Sequence, residues 1–313
     1  MGAEATIEPR VLVLLATFDG RLYLPAQLDS ILAQHDVDVR VLISDDGSTD
    51  GTVDYLRERS AADDRLMVLP SGEHAGAAGN FYRLLSADDA VSAEYDLVAL
   101  SDQDDVWSPT KLADQVRQLR AHSADGVSSN VLAFDDSGKE WLIRKDYPQR
   151  RYDYLLESPG PGCSFLLTPR LVALVRDTLR DVPDAAAMEF HDWLIYGVCR
   201  SRGWTWQIGA EPTVRYRQHS TNTMGANTGV GSKAARLGLI RQHWHRSEAA
   251  RMAGVGVATA PTEPARADLQ HMRDLLTSTR WRDRWRLAAR AGQLRRRPLH
   301  RLAVAGLIAI GVW

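Results

Sequence analysis

Cysteine is scarce in this 313-residue chain: Cys163 and Cys199 are the only two, far apart and without metal-ligand or redox spacing. That excludes a disulfide framework and a zinc site and fits a reducing, cytoplasmic compartment. Long apolar runs are missing too. The nearest, Leu302 to Trp313, offers about a dozen apolar residues, where a spanning helix needs ~20. The acidic first ten residues carry no apolar stretch and do not read as a signal peptide. Net charge is also small, at -2, which excludes a generally basic nucleic-acid binder. The balance hides an asymmetry, because residues 230–313 hold 16 Lys and Arg against 5 Asp and Glu. The body is therefore acidic and the last quarter cationic. With 44% apolar and 25% charged residues the chain is globular.

Val11-Leu12-Val13-Leu14-Leu15 is an unbroken apolar run that reads as a strand buried on both faces. Leu22, Leu24, Leu28, Ile31 and Leu32 recur at helical spacing, and Val39 to Ile43 is a second apolar run. The pattern repeats with a helix over Thr52 to Ser60, a strand at Leu66 to Leu69, a helix from near Gly79 and a strand at Leu97 to Leu100. This alternation predicts an α/β fold with a parallel sheet. Farther on, strands are expected at Val127 to Phe134, Cys163 to Leu167, Thr205 to Ile208 and Thr213 to Arg217, and helices over Pro169 to Leu179 and His191 to Arg200. The Gly-rich stretch Ala226 to Ser232 marks the expected edge between a main domain, 1–229, and a basic helical region, 230–313, broken at Gly254 to Pro264.

Two acidic clusters follow predicted strands, at the edge where open α/β sheets hold ligands. In Asp45-Asp46-Gly47-Ser48-Thr49-Asp50, a carboxylate is placed to accept the N3–H of uracil or thymine; the competing reading is a capped turn with solvated acids. Asp102-Gln103-Asp104-Asp105-Val106-Trp107 puts three carboxylates within four residues. Their repulsion is relieved by a hard cation such as Mg2+ or Mn2+, whereas helix capping accounts for one acid and not three. In Glu189-Phe190-His191-Asp192-Trp193, Asp192 reads either as a helix cap or as a base whose pKa is raised by burial against Trp193. Thr17 to Tyr23 holds one Gly and one Arg, too little for the basic Gly-rich loop of a nucleotidylyltransferase.

Together these segments, spanning residues 11–224, resemble family 2 glycosyltransferases of the GT-A fold. The match rests on Ala16 to Gly20, Gln27 to Gln34, Asp45 to Thr52, Ser101 to Trp107, His191 to Trp193 and Tyr216 to His219. The form Ser-Asp-Gln-Asp-Asp-Val-Trp, followed by Arg-Gln-His and an Asn, looks most like bacterial rhamnosyltransferases of surface polysaccharide assembly. The resemblance implies a Rossmann-like, mostly parallel sheet flanked by helices, with the C-terminal helices as an appendage. It implies that Ala16 and Phe18 line the nucleotide pocket, that Asp46 contacts the base, and that Asp102 and Asp104 are the outer acids of the metal motif, with Asp104 the direct ligand. Asp192 corresponds to the general base. Gly76 and Asn80 fall in a nucleotide-side loop in which His74 stands near the place of the family's Asn, and Gly160 to Cys163 resembles the acceptor-side wall. Arg215, Arg217 and His219 are candidates to face the diphosphate, and His219 also to complete the metal sphere, against the plainer reading of basic residues alternating on an exposed strand.

The expected reaction is an inverting transfer from a nucleotide diphosphate sugar, dTDP or UDP with dTDP-rhamnose favoured, to a hydroxyl of a glycan or lipid-linked acceptor. The alternative is a non-catalytic sugar-binding or scaffold protein on a degenerate transferase fold. The Arg and Trp content from Arg280 onward suits an anionic membrane surface or, equally, helices packing on protein. No nucleic-acid partner is expected.

Overall fold

The N-terminal apolar runs form the centre of a seven-stranded sheet in a computed structural model, which describes residues 8–70, 72–218 and 244–313. The strands are β1 (Arg10–Thr17), β2 (Asp38–Asp45), β3 (Leu66–Val68), β4 (Leu97–Ser101), β5 (Val106–Trp107), β6 (Gly126–Ser129), β7 (Val131–Asp135), β8 (Glu140–Ile143), β9 (Leu166–Leu167), β10 (Trp206–Gly209) and β11 (Val214–Gln218). The large sheet runs β10-β6-β9-β4-β1-β2-β3, and a second sheet runs β5-β11-β7-β8. Val11 to Leu15 are fully buried, because β1 lies between β2 and β4 and pairs in parallel with both. The helices α1 (Leu24–Leu32), α2 (Thr52–Ala62), α3 (Gly76–Ser86) and α4 (Lys111–Ala121) follow β1, β2, β3 and β5. Leu24, Leu28 and Ile31 of α1 and Leu112, Val116 and Leu119 of α4 join the same apolar core.

Among the described residues the chain forms two compact units. The first comprises residues up to Ile143, Gly160–Arg176 and Thr205–Arg217; the second comprises Arg144–Pro159, Asp177–Trp204 and residues from Gln218 onward. In the second unit, α7 (His191–Ser201) precedes α8 (Trp244–Thr259), α9 (Glu263–Thr277), α10 (Trp281–Ala289), α11 (Ala291–Leu294) and α12 (Pro298–Ile310). Two further helices, α5 (Pro169–Asp181) and the four-residue α6 (Pro183–Ala186), lie before α7 in the chain. The expected domain edge at Ala226 to Ser232 lies outside the described residues.

The structure corrects two expectations and narrows a third. The sheet is not wholly parallel, since β9 runs antiparallel to both β4 and β6. The single strand expected at Val127 to Phe134 is two strands in different sheets. Asn130 separates them, its backbone N–H donating to Gly209 O at 3.0 Å and its side chain to Ala210 O at 2.7 Å. The break expected at Gly254 to Pro264 falls in the second half of that stretch, because α8 continues through Gly254 and Gly256 to Thr259. A side chain at Gly254 would collide with Asp184 and Arg273, and one at Gly256 would crowd Leu269 at 3.2 Å. These glycines permit close approach rather than ending the helix. Chain direction changes only near Thr262, whose hydroxyl accepts from Ala265 N at the start of α9, where Pro264 also sits.

Gly126 of β6 lies beneath the Trp206 indole, whose Nε1 donates to Ser128 Oγ at 3.0 Å and whose ring meets Phe165 edge-on at 4.8 Å. A methyl group there has no room, so Gly126→Ala is expected to destabilise the protein by about 1–3 kcal/mol. Gly292→Ala, where nothing lies within 4 Å of the added carbon, should be neutral or stabilising by about 0.4–1 kcal/mol. Thermal unfolding of the two variants checks the opposite signs.

Candidate active site

The carboxyl ends of β1 and β2 carry two buried acids with different partners. Asp45, 3% exposed, closes its own loop by accepting Gly47 N at 3.1 Å, Ser48 N at 2.8 Å and Thr17 Oγ1 at 2.9 Å. Asp46, 1% exposed, reaches the start of α3 instead: Oδ1 accepts Ala75 N at 2.9 Å and Oδ2 accepts Gly76 N at 2.8 Å. His74 Nδ1 lies 2.9 Å from Asp46 Oδ2 while its side chain remains 60% exposed. The His74 ring also meets Phe18, at a centroid distance of 4.7 Å. Phe18 is 44% exposed and is clamped by Gln103, whose amide accepts from Phe18 N at 2.8 Å and donates to Phe18 O at 2.7 Å. A bare backbone at Gly20 is required by this clamp, because an added carbon there would overlap the Gln103 amide. Ala16 pairs in register with Ser44 on the same edge.

At the turn from Ser48 to Asp50 the acids are exposed yet take backbone donors from two loops. Asp50 accepts Arg21 N at 2.8 Å and Thr52 N at 3.0 Å, and Asp19, in the left-handed conformation, accepts Thr49 N at 2.7 Å. The two loops are thus stitched together. Asn80 is 2% exposed and donates to Thr17 O at 3.1 Å and Ser44 O at 3.0 Å. It holds the ends of β1 and β2 against α3 from behind.

After β4, Asp102 and Asp104 are half-buried and Asp105 is buried. Ligand atoms of Asp102, Asp105 and Cys163 all lie within 4.8 Å of one another. Asp105 Oδ1 accepts Arg217 N at 3.0 Å, whereas its Oδ2 is buried with no hydrogen-bond partner. Burial, with Asp104 and Asp102 alongside, raises the Asp105 carboxyl well above the usual range. The Cys163 thiol is likewise pushed up well above its usual value by burial and by the adjacent Asp105 and Asp102. A hard cation takes oxygen rather than sulfur, so within this cluster the oxygens of Asp102 and Asp105 are the donors that suit Mg2+ or Mn2+, and the cluster does not include Asp104. Arg217 stacks 4.5 Å from both Tyr23 and Phe134 and donates to Asp104 O at 2.9 Å, whereas Arg215 pairs with Glu140 at 2.7 Å. His219 lies outside the described residues.

Two neighbours of Asp105 were not legible as such in the sequence: Cys163 has no motif spacing, and Lys111 resembles a solvated first-turn lysine. Lys111 is instead fully buried, 3.8 Å over the Trp107 ring and 3.0 Å from Gln115 Oε1. Trp107 and Lys111 four positions apart are the only available clue.

In the second unit Asp192 stands in the first turn of α7, half-buried, with Trp193 N at 2.7 Å from Oδ1. Burial raises its pKa, opposed by a hydrogen bond from Ser158 and by the charge of Lys145. Neighbouring His191 is pushed down by burial to about 3 and is neutral at pH 7.

Burial lowers the Lys111 amine to about 7, so between pH 7 and 10 the unfolded chain binds a proton that the folded one does not. Stability therefore rises with pH in that window. In Lys111→Met this contribution vanishes, and the melting temperature of the variant minus that of the parent should be smaller at pH 9.5 than at pH 7. An unchanged difference would show that the amine is charged in the folded state.

The sequence pattern described as Glycosyl transferase family 2 matches residues 12–176. The dTDP-rhamnosyl transferase RfbG of Shigella flexneri is 37% identical over 242 residues, covering 76% of this chain and 83% of that protein. A putative teichuronic acid biosynthesis glycosyltransferase of Bacillus subtilis, TuaG, is 28% identical over 52% of this chain and 63% of its own length. Among solved structures, S. aureus TarS in complex with UDP-GlcNAc aligns with a TM-score of 0.55 at 15% identity, covering 97% of this chain and 79% of that one. The mannosyltransferase PcManGT of Pyrobaculum calidifontis, in complex with GDP-Man and Mn2+, gives 0.52 at 17% identity over 98% and 82%. These likenesses carry the fold, and the sequence matches carry the family: the chain is a family 2 glycosyltransferase of the GT-A fold.

Proposed function

We propose that the protein transfers rhamnose from dTDP-rhamnose, with inversion and with the help of a divalent cation, to a hydroxyl of a glycan or lipid-linked acceptor. The observation that carries the donor reading is the 37% identity to a dTDP-rhamnosyl transferase over three quarters of the chain. Residues 1–229 are read as the catalytic part and 230–313 as a basic helical appendage.

Each residue has a chemical task in this reading. Phe18 offers an exposed ring against the nucleobase, and Ala16 leaves room beside it. Asp46 accepts the base N3–H by exchanging the exposed His74 for it, while its backbone donors at Ala75 and Gly76 stay in place. Asn80 keeps the strand ends that carry these groups in register. Asp102 and Asp104 would hold Mg2+ or Mn2+, which supplies charge neutralisation for the departing diphosphate. Asp192, its pKa raised by burial, accepts the proton of the acceptor hydroxyl.

Thermal unfolding with dTDP, UDP and their sugars, in Mn2+, Mg2+ or EDTA, tests the donor and the metal together. A rise of several degrees with dTDP and dTDP-rhamnose that needs metal and is lost in Asp104→Ala is expected. Asp192→Asn should keep that rise and lose turnover by at least roughly 100-fold. Stabilisation by UDP sugars alone would replace rhamnose as the donor, and full turnover in Asp192→Asn would remove Asp192 from its role.

The proposed place of action is the cytoplasmic face of an anionic membrane. No helix among the described residues is long and apolar enough to cross a membrane. Trp281 and Trp285 on α10 and Leu299, Leu302 and Ile310 on α12 are each more than half exposed, and no acid follows Asp283 in the sequence. Exposed apolar side chains among arginines suit an anionic headgroup layer, where each cation contributes about 1 kcal/mol. The chain should sediment with phosphatidylserine vesicles more than with neutral ones, and Trp281→Ala/Trp285→Ala should reduce the bound fraction several-fold. Equal sedimentation with both vesicles would reject the membrane partner.

A further inference from the structure

The second unit holds a buried polar cluster that no step above uses. Asp153 is fully buried, with Tyr196 Oη at 3.1 Å, Arg200 at 3.3 Å and Arg296 at 3.8 Å. Trp193 and Tyr196 lie one and four positions beyond Asp192 on α7, and Trp193 Nε1 donates to Tyr154 O at 2.6 Å. The segment 153–158 is thereby fastened to the helix that carries the proposed base. Its far side is fastened by a residue distant in sequence. Arg296, between α11 and α12, is 2% exposed; its backbone N–H donates to Glu157 Oε1 and its guanidinium to Ser158 O. Its Nε lies 3.5 Å from Glu157 Oε1. Ser158 in turn donates its hydroxyl to the Asp192 carboxylate.

We infer that Arg296 is a positioning residue for Asp192: by pinning Glu157 and the Ser158 carbonyl it fixes the Ser158 hydroxyl, and through it the direction in which the Asp192 carboxylate faces. A guanidinium suits this task because its planar fork bonds a carbonyl and pairs with a carboxylate at once and keeps its charge at every accessible pH. The inference rests on the reading of Asp192 as the base and adds that the C-terminal region completes the base rather than only carrying a surface. The other charged groups nearby are Lys145, which acts on Asp192 directly, with Glu157, Arg295 and His300 around that lysine.

The Asp192 titration is measured by carboxyl 13C NMR of the full chain, assigned by its loss in Asp192→Asn. Ser158→Ala removes a bond that favours the ionised form, so the midpoint should move up. Arg296→Lys keeps the charge, loses the fork, and should move it in the same direction, with the double variant going no further than Ser158→Ala alone. The rate of dTDP release from dTDP-rhamnose with Mn2+, water serving as acceptor, should fall roughly 10- to 100-fold in both single variants with KM unchanged, and the acidic limb of its pH profile should move up with the midpoint. An unmoved midpoint in Arg296→Lys, or one that adds fully to that of Ser158→Ala, would overturn the coupling even if the protein melts earlier. Retained dTDP release in Asp192→Asn would instead remove the base reading and leave a coupling measured by titration standing.

Discussion

Removing a carboxylate from water costs several kcal/mol unless donors replace the lost hydration, and the first unit does this twice in succession at the end of β2. Asp45 gathers amides from its own loop, and Asp46 gathers amides from the start of α3, so two adjacent residues fix two different connections. The geometry demands backbone that can turn its N–H groups toward a common point. Gly47 and Gly76 supply it, with φ of 91° and 73°. The exposed Phe18 and His74 rings are held by the same arrangement, since the loop carrying Phe18 is tied to the β2 turn by Asp19, Asp50 and Thr52.

Asp105 shows the opposite treatment. One oxygen is bonded and the other is buried without a donor, beside the Asp102 carboxylate and a thiol. A site concerned only with stability would have filled that position or replaced the acid. The second unit resolves its own buried acids differently, by surrounding Asp153 and Glu157 with Arg200, Arg295 and Arg296. Such pairs contribute little net stability compared with apolar packing, but removing one member leaves a charge stranded.

The central sheet was legible because β1, β2 and β4 are read from contiguous apolar residues, and burial on both faces leaves no alternative period. The strand split at Asn130 was not legible, since a buried strand passing from one sheet to another stays apolar throughout. The glycines of α8 misled for a related reason: composition cannot distinguish a glycine that ends a helix from one that admits Asp184 and Arg273 alongside. At the site, the sequence motifs located Phe18, Asp46, Asp102, Asp104 and Asp192 on the elements expected for them. They carried no sign of Gln103 clamping Phe18 or of Ser158 beside Asp192, because each of those depends on a contact between residues far apart in the chain; for the burial of Lys111 they left only its spacing from Trp107.

β9 is only two residues long, yet it lies between β4 and β6 and joins β6 and β10 to the remaining strands of the sheet. Its neighbours are held to it by two register pairs on each side, against eight between β1 and β2. Cohesion across this seam therefore comes from side chains, with Leu166 and Leu167 fully buried, and hardly from the ladder. A sheet joined in this way has a compliant joint in an otherwise stiff body: shear along the seam breaks few directional bonds and mainly slides apolar surfaces. The loop of Gly160 to Cys163 leads directly into this joint, so its backbone is tied to the shortest strand of the sheet.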